Sequence, residues 1–318
     1  MRCHVQQRRV IPTLGCCLLA IIFLGACSAT PAASVPTVEP TEAPPEPTVT
    51  LAEPTRTPTP EPLPTLTPTA EPTEPAVSPA TPQEVEFVAE DGQILHGTYY
   101  PSANESAPLV ILMHWAPGDE TDWVTMASWL QNRVDLSQVT APYEAAWHDS
   151  SWFPPIVEGT SYAVFTFTFR GCEGGCKGFV REGWLLDAKA AVAAAQVLEG
   201  VDPERTVLVG ASIGADGAVD ACAQGCRGAF SLSPGDYLTL RYTSEVERLQ
   251  SVTPVVPVVC LAADSDTPSA DACRGAAGEA YELVIYPGGS HGMNLIAPTA
   301  SPNVLDLLLD FLRGTLGD

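Results

Sequence analysis

Basic side chains are scarce in this chain. Only 15 lysines and arginines stand against 38 aspartates and glutamates, a formal net charge of −23. They are spread along the sequence, whereas a phosphate-binding face needs clustered Lys and Arg, so the composition argues against a nucleic-acid partner. The acidity reads as a contribution to solubility. Large apolar residues are nearly missing from residues 28 to 82, which hold sixteen of the 31 prolines. Such a stretch cannot bury enough surface to offset the entropy of ordering, and it is expected to be an extended, partly polyproline tether. P-x-x-P is inevitable in that composition and is no sign of a ligand motif. No internal repeat is visible.

The first residues have a different character. "MRCHVQQRRV" is basic and "IPTLGCCLLAIIFL" is apolar, a run too short for a confident membrane span but suited to the hydrophobic part of a signal peptide. Leu24-Gly25-Ala26-Cys27 follows and resembles the lipobox of bacterial lipoproteins, in which the cysteine is lipidated and becomes the mature N-terminus. The resemblance implies a signal peptide over 1–26, a lipidated Cys27 with its tether over 27–82, and a folded domain over 83–318. The domain would be lipid-anchored on the extracytoplasmic face of a bacterial cell membrane. Two or more acyl chains anchor stably where one does not.

Six cysteines remain in the folded part: Cys172, Cys176, Cys222, Cys226, Cys260 and Cys273. An even number in an exported domain points to disulfides, with fifteen possible connectivities. Sequential pairing is favoured, because the glycines of "CEGGC" allow a tight loop. The two C-x₃-C elements differ from the C-x₂-C spacing commoner in structural zinc sites, and no metal is expected.

From residue 84 onward, apolar β-type runs alternate with helical patterns. "EVEFVA" and "ILHGTYY" flank an Asp-Gly turn and read as a hairpin. "LVILM" (109–113) and "SYAVFTFTF" (161–169) are buried strands by continuous apolarity. "DWVTMASWLQNRV" reads as a helix. "REGWLLDAKAAVAAAQVLEG" reads as a helix ending at Gly200. Then come strand "RTVLVG", a helix after Ser212, strand "RGAFSLS", strand "TPVVPVVCLAA", a helix around 269–279, strand "AYELVIYP" and a last amphipathic helix "NVLDLLLDFLRGTL". This alternation predicts an α/β fold, a mainly parallel sheet with helices on both faces and antiparallel strands at one edge. The less regular segment 143–157, with Trp147, Trp152 and Phe153, has two readings: a roof over a pocket or a structural flap.

A serine sits where one of these strands turns into a helix, in Gly210-Ala211-Ser212-Ile213-Gly214. That is the context of a nucleophile on a strained turn, where the glycines leave room for close neighbours. Serine needs a base near neutral pH. His291, in "IYPGGSHGMN", follows the last strand and falls at the same sheet edge. His96 lies within a strand, His148 within the irregular flap, and His114, directly after "LVILM", reads as a loop-shaping residue. An acid orienting His291 would come from Asp264-Ser265-Asp266 after "VVCLAA". Asp266 is preferred, Asp264 is the alternative, and the one not used would cap the next helix. Two amides would complete an oxyanion hole: Ile213, which follows the serine, and Ala116 in His114-Trp115-Ala116-Pro117-Gly118, with Trp115 as fallback.

The blocks "VEFVAEDGQILHGTYYPS", "LVILMHW", "YAVFTFTFRGCEGG", "VDPERTVLVGASIGA" and "YPGGSHGM" resemble successive blocks of the α/β-hydrolase superfamily, nearest its dienelactone hydrolase-like branch and small esterases. The likeness spans about 84 to 315. It implies an eight-stranded sheet, a Ser212-Asp266-His291 triad in the chain order of that superfamily, an acyl-enzyme mechanism on small ester substrates and no cofactor. Two departures stand out. The usual His-Gly after the third strand is His114-Trp115 here, and dienelactone hydrolases use a cysteine where this chain has Ser212. Peptidase or thioesterase activity on the same fold, or a silent binding lipoprotein, are the alternative expectations.

Overall fold

The computed structural model describes residues 80–317. The signal segment 1–26, Cys27 and all but the end of the tether lie outside the described residues. Strands β1 (Gln83–Val88) and β2 (Ile94–Tyr100) form the hairpin, turning through Gly92 at φ +86°. β3 (Ala107–Met113), β4 (Ala163–Phe167), β5 (Val201–Ala211), β6 (Cys226–Leu232), β7 (Val258–Ala263) and β8 (Tyr281–Tyr286) complete one eight-stranded sheet in the order β1-β2-β4-β3-β5-β6-β7-β8. β2 runs antiparallel to both of its neighbours. All other pairs are parallel.

Among the described residues, six α-helices connect and cover the sheet: α1 (Val124–Gln131), α2 (Arg181–Ala195), α3 (Ile213–Asp220), α4 (Tyr242–Ser251), α5 (Thr267–Gly275) and α6 (Val304–Leu316). Strand side chains alternate between faces, which divides the core in two. Leu109, Ile111 and Met113 of β3 join Trp184 and Ala188 of α2, Val219 of α3 and Val246 of α4 on one side. Val110 and Leu112 join Met126 and Leu130 of α1 and Leu305, Leu308 and Leu312 of α6 on the other. Both faces being covered, β3 carries apolar residues at every position from Leu109 to Met113, all fully buried.

Several boundaries differ from the sequence reading; β4 and β7, for example, are shorter than "SYAVFTFTF" and "TPVVPVVCLAA". α2 ends at Ala195, and Gly200 (φ +80°) instead turns the chain into β5. α5 begins and ends earlier than 269–279. α4 was not anticipated; it buries Tyr242, Val246 and Leu249, one stripe at i, i+4, i+7. The six cysteines pair sequentially, Cys172–Cys176, Cys222–Cys226 and Cys260–Cys273.

Candidate active site

Ser212 stands between the end of β5 and the start of α3 with φ +53° and ψ −114°, a conformation disfavoured for any residue carrying a Cβ. The neighbours that hold it there are closely packed. A Cβ on Gly210 would sit 1.9 Å from the Gly214 carbonyl oxygen, and one on Gly214 would sit 2.1 Å from that of Met113. Glycine at 214 therefore lets the first turn of α3 lie against the end of β3, which brings the loop 114–118 beside Ser212. Ile213 opens α3, so its amide has no partner within the helix.

His291 reaches this turn from the loop after β8. Its Nε2 lies 2.9 Å from Ser212 Oγ and its Nδ1 lies 2.6 Å from Asp266 Oδ2. A carboxylate oxygen only accepts, so Nδ1 carries the proton and Nε2 is left to accept from the serine hydroxyl. Serine is buried, while the imidazole and carboxylate side chains retain 29% and 12% exposure, which leaves the row open to solvent at the histidine. The Gly292 amide donates to buried Ser233 Oγ at 3.0 Å, fixing the backbone just beyond the imidazole.

Asp264 does not share this arrangement. Its Oδ1 accepts from the Gly288 amide and from Ser265 Oγ, each at 3.0 Å, and closes the turn after β8. Asp264 also does not cap α5; Asp266 occupies the cap position, with Pro268 in the first helical turn. The two acids divide the work because they lie two residues apart across a turn in which the Asp266 amide donates to Ala263, so their side chains leave in different directions.

The loop after β3 is fixed by hydrogen bonds. His114 is fully buried; its Nε2 accepts from the Phe169 amide at 2.9 Å, so its Nδ1–H donates to Trp115 O at 2.7 Å. Burial pushes its pKa down to about 4, which keeps it neutral. Trp115 O also accepts from the Gly118 amide. Because a peptide group is planar, holding the Trp115 oxygen from two sides sets the direction of the Ala116 N–H on the same peptide. The Ala116 carbonyl accepts from the Cys176 amide at 2.8 Å, and Asp119 Oδ2 accepts from Gly174 at 2.8 Å. The Cys172–Cys176 loop thus braces the segment from outside.

His96 is exposed on β2 opposite Glu86, far along the sheet. His148 lies in the flap with Nδ1 3.1 Å from Thr125 Oγ1. The flap packs on the domain, as its structural reading expects. Phe153 packs on Trp129 (5.3 Å between centroids), Trp152 is partly buried against the α1/α6 core, and Trp147 sets its edge against Trp115 at 5.4 Å.

Several residues of this region were not anticipated. Asp122 is 2% exposed; its Oδ2 accepts from Trp115 Nε1 at 2.9 Å and its Oδ1 from the Tyr143 hydroxyl. Burial raises its pKa to about 6. Asp216, in the first turn of α3, is raised to about 7 by burial and accepts from the Gly235 and Tyr237 amides. Arg181 donates to the carbonyls of Asp236, Tyr237 and Leu238. Together they hold the loop after β6, whose Tyr237 ring stands edge-on to His291 at 6.1 Å. The only sequence signal was a polar residue inside an otherwise apolar stretch, as with Asp216 in "SIGADGAV".

The sheet order, the helices on both faces and the strand-to-helix serine turn define the α/β-hydrolase fold. The esterase Pf2001 of Pyrococcus furiosus has a similar structure, with a TM-score of 0.51 at 16% identity over 74% of this chain and 94% of that one. The alpha/beta hydrolase GrgF of Penicillium sp. sh18 matches at 0.52 and 15% identity over 75% of this chain and all of its own. In sequence, the chain is 28% identical over 154 residues to YfhR of Escherichia coli K12, a protein described as uncharacterized. The YfhR of Salmonella typhi is 27% identical over 168 residues. The chain spans about half the length of these relatives, 44% and 48%, and the alignments take in 47% and 51% of the chain. No family model matches it.

Proposed function

We propose that this chain is a serine hydrolase of carboxylic esters that works through an acyl-enzyme. The observation that carries the reading is the continuous row Ser212 Oγ–His291 Nε2 and His291 Nδ1–Asp266 Oδ2, placed on a turn whose strain lifts the hydroxyl to the sheet edge. Ser212 attacks the ester carbonyl as its proton passes to His291, and Asp266 stabilises the resulting imidazolium. The amides of Ile213 and Ala116 receive the negative oxygen of the tetrahedral intermediate. Collapse expels the alcohol, which takes the proton from His291. Water, deprotonated by the same imidazole, then attacks the acyl-serine, and collapse releases the acid as His291 returns the proton to Ser212 Oγ. No cofactor takes part in these steps. The name of the Pyrococcus furiosus esterase, which shares the fold, agrees with this choice of substrate.

Export and anchoring belong to the same proposal. They rest on Leu24-Gly25-Ala26-Cys27, on the proline-rich segment that follows, and on three disulfides, which persist in oxidising compartments. Mass spectrometry of the mature N-terminus tests them, with an unmodified Cys27 as the contrary result.

The test of the chemistry is hydrolysis of p-nitrophenyl acetate and butyrate by the purified protein, lost in Ser212→Ala, together with covalent labelling of Ser212 by a fluorophosphonate. Absence of labelling would sink the reading. A panel of thioesters and peptides separates the esterase from a thioesterase or peptidase with the same row of residues.

A further inference from the structure

Asp122 has no place in the steps above, yet it joins two parts of the site that are far apart in sequence. Each oxygen of its carboxylate serves a different segment: Trp115 in the loop that carries Ala116, and Tyr143 at the start of the flap. Gly118 makes room for it, since a Cβ there would sit 1.8 Å from Asp122 Oδ2. The indole it holds extends to the other side of the site, where a Cβ on Gly292 would lie 2.8 Å from the Trp115 ring. Trp115 therefore spans from Asp122 to the residue after His291, and Trp147 of the flap closes on it edge to face.

An indole N–H can only donate, and left without an acceptor in a buried site it costs about 1–3 kcal/mol. Trp115 is 9% exposed, and Asp122 is the acceptor of its indole N–H. Trp115 is also the residue whose carbonyl fixes the Ala116 amide. Side chain and peptide of this one residue thus connect Asp122 to the Ala116 amide.

We infer that Asp122 is a positioning residue of the ester-hydrolysing site, one buried carboxylate that sets both the aim of the Ala116 amide, through Trp115, and the seating of the flap 143–157, through Tyr143. The inference rests on the hydrolase reading and adds to it a division of labour. The Trp115 arm acts on the transition state and the Tyr143 arm on substrate admission.

The test uses the purified protein with p-nitrophenyl butyrate, measuring kcat and KM for Tyr143→Phe, Asp122→Asn and Asp122→Leu. Tyr143→Phe removes only the flap arm, from a side chain 41% exposed, and is expected to raise KM about tenfold with kcat nearly unchanged. Asp122→Asn keeps an oxygen for the indole and an amide that donates to the tyrosine oxygen, and is expected to stay within about threefold of the parent in both constants. Asp122→Leu leaves the indole without an acceptor and is expected to lower kcat about 100-fold, the scale of one misdirected oxyanion donor. If Asp122→Leu does not fold, Trp115→Phe, which removes the indole N–H and keeps the backbone carbonyl, takes its place and is expected to lower kcat on the same scale. A parent protein labelled at Ser212 by fluorophosphonate whose KM ignores Tyr143→Phe, or whose kcat survives Asp122→Leu, overturns the role of Asp122 and leaves the hydrolase reading intact. A parent protein that is neither labelled nor active overturns both.

Discussion

Asp264 and Asp266 stand two residues apart at the end of β7 and hold different halves of the same loop. Asp266 accepts from the imidazole of His291 at 2.6 Å, and Asp264 accepts from the amide of Gly288 at 3.0 Å, three residues before it. One acid addresses the side chain and the other the backbone that delivers it. Asp266→Asn is expected to lower kcat by about 10⁴, because an amide facing Nδ1 favours the wrong tautomer. Asp264→Asn retains an oxygen for Gly288 and should cost less than about tenfold. Steady-state kinetics on one ester measures both, and equal losses would reverse the assignment.

The Cys172–Cys176 loop supports Ala116 and Asp119 through two of its amides, whereas Cys222–Cys226 connects the end of α3 to β6. Replacing either pair by serine is expected to lower stability by about 2 kcal/mol, the scale for so short a loop. Only the first pair should also lower kcat, by about tenfold, through displacement of the Ala116 amide. Urea denaturation and ester hydrolysis on the two double variants separate the effects; an unchanged kcat in the first would show that the loop does not support the amide.

Asp220 is buried on α3 with neither carboxylate oxygen hydrogen-bonded. Burial, reinforced by Asp216 and Glu245, pushes its pKa up to about 8. In the unfolded chain it would titrate near the ordinary aspartate value, so between those limits the folded state holds the extra proton. The stability this group contributes is complete at low pH and is lost as pH rises through about 8. Asp220→Asn should remove that dependence, so that its melting temperature exceeds that of the parent by more at pH 8.5 than at pH 5. A difference independent of pH would show that Asp220 does not titrate in this way.

Gly214→Ala tests the packing that brings β3 to the serine turn. Its Cβ would meet the backbone oxygen of Met113 at 2.1 Å, and backbone cannot swing aside as a side chain can. A loss of about 3 kcal/mol or failure to fold is expected. Gly178→Ala, where nothing lies within 4 Å, serves as the neutral control in the same denaturation experiment.

The strands and the serine turn were legible because their signals are local. Five consecutive apolar positions fit a strand covered on both faces, and a serine between glycines at a strand end is the context expected of a nucleophile turn. His291 and Asp266 followed from their places after later strands. α4 was missed because "YTSEVERLQS" is mostly polar and its buried stripe is three residues wide. Asp122 was illegible for a different reason. In "GDETDW" it looks like one more acid in a solvated turn, and only the fold brings Trp115 and Tyr143 to its two oxygens.

Each of the three sulfur bridges closes on the nearest following cysteine, across 4, 4 and 13 positions. Short loops close with the least entropic cost, so the correct partner is always the one a thiol meets first as the chain lengthens. A protein wired in this way can be oxidised from one end to the other without any crosslink having to be undone.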